Sequence, residues 1–115
     1  MKSLETTIPP YNTKMLIMCG NKIELDEAIL AYTSDITKGI NKSRATAATL
    51  NEYPGWIFVL FNNETEITRG VIAHESLHVL YHLYYIIGES MDGHEKDAYL
   101  LQWVFEQIED LIFEK

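Results

Sequence analysis

Apolar positions along the chain change period several times, and each change marks an element. Residues 13–19 (TKMLIMC) form a short apolar run closed by Gly20-Asn21, the pattern of a buried strand. Leu25, Ile29, Tyr32, Ile36 and Ile40 then recur at spacings of three and four, predicting an amphipathic helix over about 24–40, with Gly39 and Asn41 at its end. Residues 44–53 (RATAATLNEY) alternate weakly and read as a second strand, with a turn at Pro54-Gly55. Residues 56–61 (WIFVLF) are the clearest strand and imply a hairpin with the one before. Asn63 or Thr65 can cap the next helix, with Glu64 and Glu66 in its first turn, running over about 66–87 to Gly88. After a polar loop, a last helix is expected over 95–113, with Ala98, Leu101, Phe105, Ile108 and Ile112 as its apolar stripe. Residues 1–10, ending in Pro9-Pro10, read as a loose, flexible arm. The order β-α-β-β-α-α predicts one α+β domain over residues 1–115, with a short, mostly antiparallel sheet of about three strands and three helices on one face.

Composition narrows the classes of function. A chain of 115 residues is large enough for one core and too small for two. A net charge of −8 argues against nucleic acid and against anionic lipid as partners. Cys19 is the single cysteine, so an internal disulfide and a cysteine-based zinc cluster are both excluded; a reducing, cytoplasmic setting is the expectation. Residues 1–10 lack the apolar core of a signal peptide. The most apolar stretch, residues 71–87, is interrupted by three histidines and a glutamate, which marks a buried helix and not a membrane span.

Within that stretch lies His74-Glu75-Ser76-Leu77-His78, an H-E-x-x-H pattern. Residues four apart on a helix stack on one face, so both imidazoles can take two corners of a zinc tetrahedron. Glu75 is rotated away from them, as suits a base acting on a metal-bound water. A histidine on an apolar helix is more often a hydrogen-bonded core residue. Here, however, two of them flank a glutamate set among apolar neighbours, where an unpaired charge costs several kcal/mol and a nearby cation would offset it. His82 continues the row, but about 12 Å of helical rise separates it from His74, so one ion cannot hold both. It reads as a supporting or core histidine.

A catalytic zinc site needs a third protein ligand. An acidic one from residues 93–101 (GHEKDAYLL), on the returning helix, would make a His₂-carboxylate set. H-E-S-L-H followed by E-x-x-A-Y-L-L-x-W resembles the small zincin-like proteins of bacteriophages and bacterial mobile elements; the opening I-P-P-Y also resembles their beginnings. The resemblance covers most of the chain, and its specific motifs lie in the last two helices. It implies a zincin-like domain with H-E-x-x-H on the central helix, Zn²⁺ held by His74, His78 and Glu95, and Glu75 as the catalytic base. A more distant resemblance, to gluzincin domains of bacterial and phage regulatory proteases, places the third ligand at Asp97. Periodicity also leans toward Asp97, whereas the helix dipole favours Glu95. Tyr99 is either an oxyanion donor or a packed aromatic, and His94 a donor or a loop residue.

The expected function is that of a zinc-dependent peptidase of gluzincin type, with a peptide or protein substrate. The alternative is an inactive zincin-fold protein that binds another protein, its metal structural. A third possibility is a helix pair whose histidines bind no metal.

Overall fold

The computed structural model describes residues 1–34, 44–93 and 95–114. Its elements are β1 (Lys2–Thr7), β2 (Lys14–Gly20), α1 (Lys22–Leu30), β3 (Ala45–Leu50), β4 (Tyr53–Asn62), α2 (Arg69–Ile87) and α3 (Glu95–Phe113). The two most apolar strands, β2 and β4, lie parallel at the centre of a four-stranded sheet of order β1-β2-β4-β3. Both outer strands are antiparallel to their neighbours, so the sheet is mixed. The central strands are covered on both faces, which is why they read as unbroken apolar runs. Met15, Ile17, Cys19, Ile57, Val59 and Phe61 face α2 and α3. Leu16, Met18, Phe58 and Leu60 face Leu25 and Ile29 of α1. Fully burying a side chain such as Ile17 or Phe61 is worth about 1.5–3 kcal/mol.

Four expectations need correction. The arm expected over residues 1–10 contains β1, paired with β2 from Lys2↔Cys19 to Thr7↔Lys14. Leu4 is the one large apolar residue that β1 packs on the core, and the strand alternates between half-buried and exposed positions. An edge strand with so little apolar content leaves almost no periodic signal. The sheet therefore has four strands and not about three. The helices also cover both faces, because the alternation of β2 and β4 supplies two apolar surfaces and α1 takes the one that α2 and α3 leave.

The third correction is to α1, which starts at Lys22 and ends at Leu30. Asn21 accepts the Glu24 N–H at 2.9 Å while Glu24 accepts the Asn21 N–H at 3.0 Å, closing a capping box. Beyond the helix, the Tyr32 ring packs on Tyr53 and Phe58, and the Thr33 hydroxyl donates to Glu52 at 2.7 Å. These contacts draw the chain off the helical path; Ile36 and Ile40 fall outside the described residues. The fourth concerns the hairpin. Its turn is at Asn51-Glu52, between Leu50 and Tyr53, while Pro54 and Gly55 lie inside β4, Gly55 at φ +81. Proline and glycine are tolerated there because the ladder is irregular next to the turn, with a register shift between Ala48 and Leu50.

Candidate metal centre and cleft

Helix α2 begins at Thr68, whose hydroxyl accepts the Val71 N–H at 3.2 Å, and ends at Gly88 in the left-handed conformation. The cap is thus Thr68, not Asn63 or Thr65; Asn62 instead closes the preceding turn by accepting the Glu64 N–H at 3.0 Å. Ile72, Ser76, Val79, Leu80 and Leu83 are buried beneath α2. His74 and His78 are exposed on its opposite side. Their Nε2 atoms are 3.2 Å apart and their ring planes meet at 66°. Two nitrogens about 2.05 Å from one ion, at a tetrahedral angle, are separated by about 3.3 Å. The pair therefore fits two corners of a zinc site.

Glu75 is 6% exposed and accepts no hydrogen bond among the described residues. Burial pushes its carboxyl above the ordinary range, opposed by the positive charge that His74 and His78 can carry. It lines a cleft of about 410 Å³ together with His74, Thr68, Gly70 and Arg44. That cleft separates the start of α2 from β3, the free edge of the sheet.

Two observations define the edge itself. The Asn62 N–H donates to the Arg44 carbonyl at 2.8 Å, so alternate residues Arg44, Thr46 and Ala48 turn their backbone groups toward β4. Ala45 and Ala47 turn theirs outward. The Ala47 carbonyl lies 3.2 Å from His82 Nε2, and since a carbonyl only accepts, Nε2 carries the proton there. His82 is therefore a clamp between α2 and the sheet edge.

The acidic candidates on α3 behave differently from one another. Asp97 is 4% exposed, accepts from the Tyr84 hydroxyl, and takes the Asp92 and Gly93 N–H groups at 2.9 and 2.7 Å. The Tyr84 hydrogen bond, with those backbone donors, holds its carboxyl below the ordinary range despite burial. Asp97 is committed to closing the loop between the helices. Glu95, in the first turn of α3, is exposed. Arg69 at the start of α2 meets Glu109 at 2.7 Å, and Tyr84 near its end meets Asp97, so the two helices are antiparallel. The first turn of α3 thus lies level with Tyr84, six residues or about 9 Å beyond His78. Among the described residues, no three His, Cys, Asp or Glu side chains gather closely enough to hold an ion. The structure brings together His74, His78 and Glu75, and does not bring Glu95 to them.

Tyr99 is 66% exposed and away from the cleft, so it is neither packed nor placed as an oxyanion donor; His94 lies outside the described residues. The buried face of α3 is Leu100, Val104 and Ile108; of the expected stripe Ile108 is buried, Leu101, Phe105 and Ile112 pack half-buried at its side, and Ala98 is exposed. Arg44, Thr68 and Gly70 are cleft residues that the sequence did not flag. A lone arginine before a strand carries no periodic or motif signal. No family model, curated protein or solved structure matches the chain.

Proposed function

We propose that this protein is a zinc-dependent peptidase-like hydrolase, with the ion held by His74 and His78 and with Glu75 as its base. The observation that carries the reading is the 3.2 Å Nε2 pair on the open side of α2, beside a buried glutamate that lines a cleft. When bound, the ion would supply a water acidified towards a pKa of about 7 and a Lewis acid for a carbonyl oxygen. Glu75 accepts the proton released as water attacks the peptide carbonyl and returns it to the departing amine. Its burial favours the protonated form, which eases that return. The outward backbone groups of Ala45 orient an extended substrate at the lip of the cleft.

Glu95 remains the third ligand that the family resemblance offers. In the arrangement described its turn of α3 lies level with Tyr84 or beyond, at least about 9 Å along α2 from His78, so reaching it requires the start of α3 to move. The fit of the site therefore rests on the two histidines.

Elemental analysis of untagged protein, with Glu75→Gln as the paired variant, tests the reading. The variant should keep its zinc and lose about 10²–10⁴ in turnover on a broad peptide library. Undiminished cleavage, or protein that takes up no zinc, would refute it.

A second reading is a non-enzymatic protein-binding module on the same scaffold. It is favoured by the absence of a third ligand among the described residues, and by Tyr81 and Tyr85, exposed by 56% and 89% on the face that carries His74 and His78. Bound zinc without cleavage of any library member would select it. No helix among the described residues is long and apolar enough to cross a membrane.

A further inference from the structure

The outer face of α2 lacks what the solvent face of a helix ordinarily carries. From Gly70 to Ile87 the one acidic or basic side chain besides the histidines is Glu75, and it is buried. Exposed instead are Ala73, His74, His78, Tyr81 and Tyr85. Surface helices put charged side chains there, and a helix without such a face is ordinarily covered. Beside this face, between α2 and α3, runs a groove of about 430 Å³ lined by Ala73, Ala98, Leu101, Gln102, Phe105 and Glu106. Leu101 and Phe105 pack partly on the core and turn the rest of their surface into the groove. Leu77, half-buried, stands one turn beyond Ala73 on the same side of α2 and continues the apolar bank.

Backbone chemistry and charge limit what can cover this surface. Both banks are helices, whose backbone N–H and C=O groups are bonded within the helix. An extended chain lying between them would find no partners for its own backbone groups. A helix arrives with its backbone already satisfied, and the channel between two antiparallel helices accepts the ridges of a third. Ala98 and Glu106 are about 12 Å apart in rise, so about two turns of such a helix lie along the groove. Ala73 is one turn from the Arg69–Glu109 pair and Ala98 is next to Asp97, so these small side chains stand at opposite ends.

On the α3 bank, Glu95, Gln102 and Glu106 are exposed and repeat at spacings of seven and four, which makes them one row along the rim. The one basic residue of α3, Lys96, is tied to Glu89 at 2.8 Å. A negative rim is complemented by positive side chains on whatever lies against it. A second copy of the chain does not supply them. Acidic residues outnumber basic ones by three to one in α1 and five to one in α3, and α2 has one of each.

We propose that the groove between α2 and α3 is the docking site for an amphipathic helix of another protein, apolar where it enters the groove and basic where it meets the Glu95–Glu106 row. The proposal does not rest on the peptidase reading: it uses the α3 side of α2, whereas the cleft at Glu75 lies on the β3 side.

Three labelled peptides of about 18 residues serve as probes in fluorescence-anisotropy titrations of the full chain. One carries leucines at helical spacing with lysines elsewhere. The second has glutamate for each lysine, and the third alternates valine with lysine and so presents no apolar helix face. The first should bind at least about tenfold more tightly than either of the others. Ala73→Gln combined with Ala98→Gln, both at exposed helical positions, should fill the groove ends and abolish that binding. Glu106→Lys carries the test independently and should narrow the gap between the first two peptides. Glu27→Lys makes the same charge change on α1, across the sheet, and should leave the gap as it was. Circular-dichroism melts confirm that each variant is folded. A first peptide that binds no better than the others, binding that survives the double glutamine variant, or an effect of Glu27→Lys equal to that of Glu106→Lys would each overturn the proposal. So would sedimentation showing a dimer that the glutamine variant dissolves, since the groove would then take a second copy.

Discussion

Two buried carboxylates, Glu75 and Asp97, receive opposite treatment from the chain. Asp97 has a donor for each oxygen: the Tyr84 hydroxyl on one, the Asp92 and Gly93 N–H groups on the other. A carboxylate so held is stabilised in its charged form. Its folded-state pKa lies below the ordinary value of 3.8, so Asp97 contributes stability above that value and loses the contribution as pH falls through the lower, folded one. Asp97→Asn should therefore flatten the acid limb of the stability curve below about pH 4, measured by denaturant melts from pH 2 to pH 7. An unchanged acid limb would mean that other carboxylates set it. Tyr84→Phe removes the hydroxyl and leaves a buried acceptor short of a donor, at a cost of about 1–3 kcal/mol. Glu75 has no such donors among the described residues. Buried along the wall of a cleft, with its carboxyl held above the ordinary range, it is the residue on which the proposed chemistry turns.

At the scale of elements, the pairing of α2 with α3 determines which acids can reach the histidines. His78→Ala should weaken zinc binding by at least about 100-fold, since it removes one of two converging nitrogens. Glu95→Ala should change it less than tenfold, because the first turn of α3 sits at the level of Tyr84 and not of His78. Competition titration with a zinc chelator measures both, and a loss at Glu95 equal to that at His78 would show α3 shifting to complete the site. The bounds of α3 were legible in the sequence, as were the two central strands, the Gly88 stop and the facing pair of histidines. Each of these rests on a local period or a local backbone preference. The axial offset between α2 and α3 was not legible, because it is set by the Tyr84–Asp97 latch and the Arg69–Glu109 pair across the helix interface. Asp97 does fall on the buried side of α3, as periodicity indicated, but for a structural purpose. Nor could spacing reveal that α1 is the helix that turns to the other face of the sheet: the unbroken apolar runs of β2 and β4 call for cover on both faces but do not say which helix supplies it.

At the scale of the whole molecule, the strand that the sequence concealed joins its layers. β1 covers the edge of β2, places Leu4 on the core, and reaches α3 through Lys2, whose Nζ donates to the Ile112 carbonyl at 3.0 Å and pairs with Glu114 at 3.1 Å. The Met1 ammonium, just before β1, pairs with Glu24 of α1 at 3.1 Å. Neither ion pair is buried, and each is worth at most about 1 kcal/mol. The ladder and Leu4 matter more, since losing β1 would bare a long apolar strand edge, a template for aggregation. Deleting residues 1–7 should therefore lower the melting temperature by more than about 10 °C, or turn the protein into aggregate, whereas Lys2→Ala should cost only a few degrees. The deletion lies across the sheet from β3 and the cleft, with β2 and β4 between. Whatever fraction stays folded should thus keep the zinc affinity of the full chain. Thermal melts with static light scattering, followed by zinc titration of the soluble fraction, separate the two effects. A deletion variant melting within about 2 °C of the full chain would mean that the sheet is complete without β1. One that stays folded but loses zinc would mean that the sheet couples its two edges more tightly than the positions of β1 and β3 imply.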